Sequence, residues 1–136
     1  MVDLDTQFRI WKPCAPSFSE YVYSGVWDYA LLLLRDLLIQ AQHRPLSEEA
    51  LAFLKQHFDP GPVTSGWPAD VQYRFSRGDQ RILIWAGDKW ANWHLAADSP
   101  ESLAELAIMV GPCDQVARSF WSNSEEGELV LKRLRS

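Results

Sequence analysis

Gly78-Asp79 and Gly87-Asp88 lie nine residues apart, and the chain around them alternates apolar and polar residues with a period of two. A Gly-Asp pair between strand-like runs signals a two-residue hairpin loop. The spacing therefore predicts an antiparallel meander with strands near 71–76, 80–86 and 89–96. Counting outward from each turn puts Phe75 opposite Ile82, Tyr73 opposite Ile84 and Val71 opposite Ala86, then Ile84 opposite Ala91 and Ile82 opposite Trp93. These residues, with Leu95, form one wholly apolar face. The other face carries Gln72, Arg74, Ser76, Arg81, Leu83, Trp85, Trp90, Asn92 and His94. A one-residue slip in either hairpin would mix the two sets, so their separation supports the assignment of faces.

The flanking segments read mainly as helices. From about Ser19 to Gln42, Trp27, Leu31, Leu34, Leu38 and Ala41 make a helical stripe, ended by His43-Arg44-Pro45. Gln7 to Trp11 alternates like a short edge strand and stops at Pro13. A second helix opens at Ser47 as N-cap, with Glu48 and Glu49 near the positive end of the dipole and Leu46 placed to staple Leu51. Leu51, Leu54 and Phe58 form its stripe, and Asp59-Pro60-Gly61-Pro62 stops it. A loop to about Asp70 follows and holds Trp67. Ser99 caps a third helix with Pro100 at its first position and Leu103, Leu106, Ala107 and Val110 inward, ended by Gly111-Pro112. Asp114 to Trp121 suits a short helix with Val116 and Phe120 inward, and Glu128 to Leu134 reads equally as strand or helix. At 136 residues, the expectation is one α+β domain: an antiparallel meander with helices packed on one face.

Templates for chemistry are sparse. The sequence has no Gly-x-Ser-x-Gly, no phosphate-cradling glycine loop and no His-Glu-x-x-His. His43, His57 and His94 stand in different segments, and Cys14 and Cys113 lack zinc or redox spacing, so no metal or organic cofactor is expected. Asp98 and Glu101 at the start of the third helix are explained by capping, and Arg77-Gly78-Asp79 by turn chemistry. A formal charge of −5 disfavours nucleic acid or an anionic membrane as partner and favours a basic protein. Met1-Val2-Asp3-Leu4-Asp5 has neither a basic nor an apolar leader region, and no apolar run spans a bilayer. The expected setting is the cytoplasm, with both cysteines as thiols.

Two surfaces are candidates for recognition. In the predicted register Trp85 and Trp90 form a non-hydrogen-bonded pair, with Arg81 beside His94 and Arg74 diagonal to them. That face is either covered by another helix or open to a partner or ligand. The run Ser124-Glu125-Glu126-Gly127-Glu128 reads as an acidic loop, or simply as a solvated turn. Seven Trp in a chain of this length fit aromatic anchors at a binding surface.

The stretch from Trp93 to Leu106, a strand leading through Asp98-Ser99 into a leucine-bearing helix, resembles the closing segment of the SUKH superfamily of bacterial immunity proteins. The order of helices, meander and helix is similar too. Members typically bind and neutralise toxin domains, often nucleases, without catalysis of their own. The resemblance implies a non-enzymatic protein that occludes a cognate protein toxin. Its interface would use Trp67, Trp85 and Trp90 as anchors and Asp88, Glu125, Glu126 and Glu128 to steer a basic surface. The alternative is a small-ligand module stacking a sugar or base on Trp85 and Trp90, with Arg74, Arg81 and His94 reading its polar groups.

Overall fold

The computed structural model describes residues 27–28, 32–33, 35–66 and 70–135. It shows an α+β fold built on a six-stranded antiparallel sheet. In chain order the elements are β1 (Leu38–His43), α1 (Glu48–His57), β2 (Asp59–Pro60), β3 (Thr64–Ser65), β4 (Val71–Arg77), β5 (Gln80–Ala86), β6 (Ala91–Ala96), α2 (Pro100–Val110), a 3₁₀ turn (Cys113–Ser119) and α3 (Glu125–Arg135). The strands run β1-β6-β5-β4-β2 across the sheet, and β3 also pairs with β4. No helix among the described residues is long and apolar enough to cross a membrane.

The first hairpin has the expected register, with Phe75 opposite Ile82, Tyr73 opposite Ile84 and Val71 opposite Ala86. Gly78 sits at φ +57, the glycine-first arrangement of a tight hairpin turn. Asp79 does a second job there. Its carboxylate accepts from the Asp98 amide at 2.9 Å and the Ser102 hydroxyl at 2.9 Å, tying the turn to the start of α2. The Asp98 amide holds the Asp79 carboxyl below its usual range, burial opposes it, and the Ser102 hydroxyl adds a lesser pull downward.

The second hairpin corrects the predicted register. Ile84 lies opposite Trp93, not Ala91, and Ala86 opposite Ala91, because the loop holds the four residues Gly87 to Trp90. The Gly87 amide closes that loop on the Trp90 carbonyl at 3.0 Å, without the positive φ that a two-residue turn would need at this glycine. Two extra residues preserve parity, so the faces stand. The gain is in partners: the pairs become Ala86–Ala91, Ile84–Trp93 and Ile82–Leu95, whereas the two-residue loop would set Ala86 against Lys89 and Gln80 against Leu95.

A further correction concerns Leu38 to Gln42, read in sequence as the end of a helix. These residues form β1, which pairs antiparallel with β6 through Ile39–Leu95 and Ala41–Trp93. The segment Ile39-Gln40-Ala41-Gln42 satisfies a period of two as well as a helical one, and the open edge of β6 supplies backbone partners that a helix could not use. Helical backbone occurs upstream, at Trp27, Asp28, Leu32 and Leu33. Leu31, Leu34 and the proposed strand Gln7 to Trp11 lie outside the described residues.

The helical elements α1, α2, the 3₁₀ turn and α3 pack on the apolar face. Leu54, Leu103, Leu106, Val116, Phe120, Val130 and Leu131 join Ile39, Phe75, Ile82, Ile84, Trp93 and Leu95 in one buried cluster. Ser47 accepts from the Ala50 amide and Ser99 from the Ser102 amide, the two expected N-caps. The acidic run is not a projecting loop. It opens α3, with Ser124 Oγ accepting from the Gly127 amide at 3.0 Å and Glu125, Glu126 and Glu128 in the first turn, where the helix dipole favours them. Gly127 permits this close approach, since a Cβ there would stand 2.6 Å from the Leu38 carbonyl oxygen. At the other junction Asp114 (φ 52) and Gln115 (φ 59) are both left-handed, a conformation costing on the order of 1–3 kcal/mol per non-glycine residue. The Asp114 carboxylate holds the first of them by accepting from the Ser47 amide at 3.0 Å.

Candidate functional site

The four-residue loop between β5 and β6 turns Trp90 outward, 49% exposed. It stands over a concavity of about 190 Å³ lined by Asp70, Trp85, Gly87, Asp88, Lys89, Trp90 and Asn92. Three sequence candidates, Trp85, Asp88 and Trp90, are thus brought together, although the indoles are not cross-strand partners: Trp85 faces Asn92. Asp70 adds a second carboxylate that sequence reading passed over. The signal was present, because Val71 pairs with Ala86 and one further step outward places Asp70 beside Gly87. Trp67 lies outside the described residues.

Glu125, Glu126 and Glu128 do not join this site. They open α3, whose cap residue Ser124 donates its hydroxyl to the Asp36 carbonyl at 2.5 Å, next to the β1 end that pairs with Ala96. The β5–β6 loop is at the other end of the same strands. Glu125 and Glu126 are exposed, whereas Glu128 turns back to accept from the Ser122 amide at 3.2 Å.

The second face of the sheet is covered. Leu83 and Ala96 are buried against Trp27, Leu32 and Leu38, with Leu33 and Trp85 packed at the margin. Arg74, 3% exposed, forks onto Asp28 through Nε at 2.5 Å and Nη2 at 2.7 Å, while Nη1 reaches the Pro62 carbonyl and Thr64 Oγ1. Arg81 turns back to the carbonyls of Gly78 and Gln80. His94 packs its ring against Trp85 at 4.5 Å and sits 3.0 Å from the Leu83 carbonyl through Nδ1. The cationic cluster inferred for a ligand platform is therefore dispersed into internal partnerships.

Burial pushes the His94 pKa below the ordinary imidazole range, against the opposing pull of the Leu83 carbonyl and the Asp28 carboxylate. The folded protein thus resists a proton that the unfolded chain accepts near pH ~6.5. The contribution of His94 is complete above that pH and is lost as pH falls below it. In His94→Gln, the loss of urea midpoint between pH 7.5 and 5 should shrink. An unchanged slope would assign that pH dependence to other groups. Asp79 acts in a separate window: its depressed carboxyl loses stability only as pH falls below about 3.8.

The remaining reactive side chains sit in structural settings, with His43 Nε2 buried and without a hydrogen-bond partner among the described residues. His43 Nδ1 lies 2.7 Å from Ser119 Oγ, and the His57 ring lies 4.4 Å from Phe53. The Asp98 carboxylate pairs with Arg35. Cys113 is a buried free thiol pushed up to about 11 by burial and then by the Asp114 charge, so it is protonated at neutral pH. No group of three or more His, Cys, Asp or Glu among the described residues is arranged to hold a metal ion. The arrangement where the β5–β6 loop meets the start of β4 is one of recognition chemistry: an exposed indole, a half-buried indole, two carboxylates and Lys89. No family model matches the chain, and neither does a curated protein or a solved structure.

Proposed function

We propose that the protein acts in the cytoplasm as an immunity protein, binding a cognate protein toxin and occluding its working surface without catalysis. The observation that carries this reading is the grouping of Trp90, Trp85, Asp88 and Asp70 around one concavity beside the β5–β6 loop. Indoles supply large contact area at low entropic cost, and the carboxylates of Asp70 and Asp88, which outnumber the single Lys89 in the lining, suit a basic partner. The chain's net charge of −5 adds long-range attraction for such a partner. Glu125 and Glu126, remote from the loop, contribute to that field rather than to the contact.

Anchors and steering charges should separate in kinetics. With a co-encoded toxin, Trp90→Ala should chiefly speed dissociation, weakening the complex by at least about 2 kcal/mol. Asp70→Asn with Asp88→Asn should chiefly slow association and flatten its salt dependence, with Glu125→Gln and Glu126→Gln adding a smaller effect. Surface plasmon resonance at two ionic strengths reads both. Absence of binding, or binding indifferent to every one of these changes, would reject the assignment, and turnover of a small substrate would favour an enzyme instead.

A further inference from the structure

A second concavity, sharing no lining residue with the first, lies between the end of α2, the 3₁₀ turn and α3. It is an open groove of about 470 Å³, within the range of roughly 300–1,000 Å³ typical of small-ligand sites. Its floor includes Phe120 and Leu131, both buried, and its wall includes Ile108, 66% exposed. The left-handed pair Asp114-Gln115 redirects the chain after α2, and Gln115, Ala117 and Arg118 then line the groove. Gly111 allows the 3₁₀ turn to close against the helix, because a Cβ there would stand 3.0 Å from Ala117 Cβ.

Among the described residues, the charged ones lining the groove are Arg118 and Arg135, with no carboxylate beside them. This is unusual on a chain of net charge −5. Arg135 donates from Nη2 to the Phe120 carbonyl at 2.6 Å, which holds its guanidinium at the groove. A guanidinium carries five N–H donors in a fork that matches a carboxylate, so one bond to a carbonyl does not saturate it.

From these features we propose that the groove binds an amphiphilic carboxylate, a medium-length apolar chain seated along Ile108, Phe120 and Leu134 with its carboxylate at Arg118 and Arg135. The bound form places apolar surface on apolar surface and the anion on the two cations. This reading is independent of toxin binding.

The test uses decanoate, decan-1-ol and decylammonium at submicellar concentrations, titrated into the whole protein and followed by amide chemical shifts. Decanoate should shift residues around Ile108, Phe120 and Leu134 and bind at least tenfold more tightly than decanol, with decylammonium weaker still. Arg118→Gln should bring decanoate toward the decanol affinity while leaving decanol unchanged. Ile108→Asp, at an exposed position that should leave the melting temperature in place, should abolish binding of all three. Equal binding of decylammonium, shifts elsewhere, or no binding at millimolar decanoate would overturn the proposal. So would binding of an acidic amphipathic peptide but not decanoate. Concentration-dependent dimerisation lost in Ile108→Asp would instead give the groove to a second copy of the chain.

Discussion

Replacing Trp93 by alanine should lower the free energy of unfolding by about 3–5 kcal/mol, the range for deleting a large aromatic from a packed core. Trp93 is 1% exposed at the centre of β6, between Ala41 of β1 and Ile84 of β5, and its indole contributes to the cluster that joins the sheet to the helices. Neither strand can close the gap, because the backbones of β1 and β5 are both fixed at ladder spacing against β6. Trp93→Phe, which keeps most of the apolar volume, should cost far less. Urea unfolding of both variants checks this, and an unchanged midpoint for Trp93→Ala would remove the indole from the core.

Asp28→Ala should cost about 3–5 kcal/mol, the usual penalty for leaving one charge of a buried pair uncompensated. Its partner Arg74 is 3% exposed and would lose both bonds to the carboxylate, keeping, among the described residues, the Pro62 carbonyl and Thr64 hydroxyl. Those two acceptors place the expected value at the lower end of the range. The diagnostic is the double variant: Asp28→Ala with Arg74→Met removes the stranded cation and should recover much of the loss, since an apolar pair is often no less stable than a buried ion pair. Additive losses in the double variant would show that Asp28 matters through something other than Arg74. The fork also joins Asp28 to the sheet, so Asp28→Ala should loosen the cluster of Trp27, Leu32 and Leu83, which amide hydrogen exchange can follow.

The hairpins show how far local sequence carries. Gly78-Asp79 was legible because a glycine at positive φ is a local requirement of a two-residue turn. Gly87-Asp88 looked the same and is not. Its loop length follows from the match of Ile82, Ile84 and Ala86 with Leu95, Trp93 and Ala91, a comparison between whole strands rather than a property of the turn. The candidate site moved accordingly: Trp90 left its predicted place opposite Trp85 and became the exposed residue of the loop, with Asp70 beside it. The acidic run went the other way, from a supposed loop to the first turn of α3, because Ser124 and the buried Gly127 anchor it against β1.

What the sequence determined by itself is the content of the two sheet faces, the caps at Ser47 and Ser99, and the inward stripes of α1 and α2, all set by side-chain period and by hydrogen bonds spanning a few residues. Tertiary structure alone decided three things. Leu38 to His43 became a strand because β6 had an unpaired edge. Arg74 became an interior group because Asp28 arrives from far along the chain to pair with it, on the face where Trp27 and Leu32 bury Leu83 and Ala96. Ile108, Phe120 and Arg118 came to share a groove because Asp114 and Gln115 adopt left-handed backbone under the hold of Ser47. In each case a segment whose local preferences were nearly balanced took the conformation that satisfied a distant partner, and a distant partner leaves no mark on local sequence.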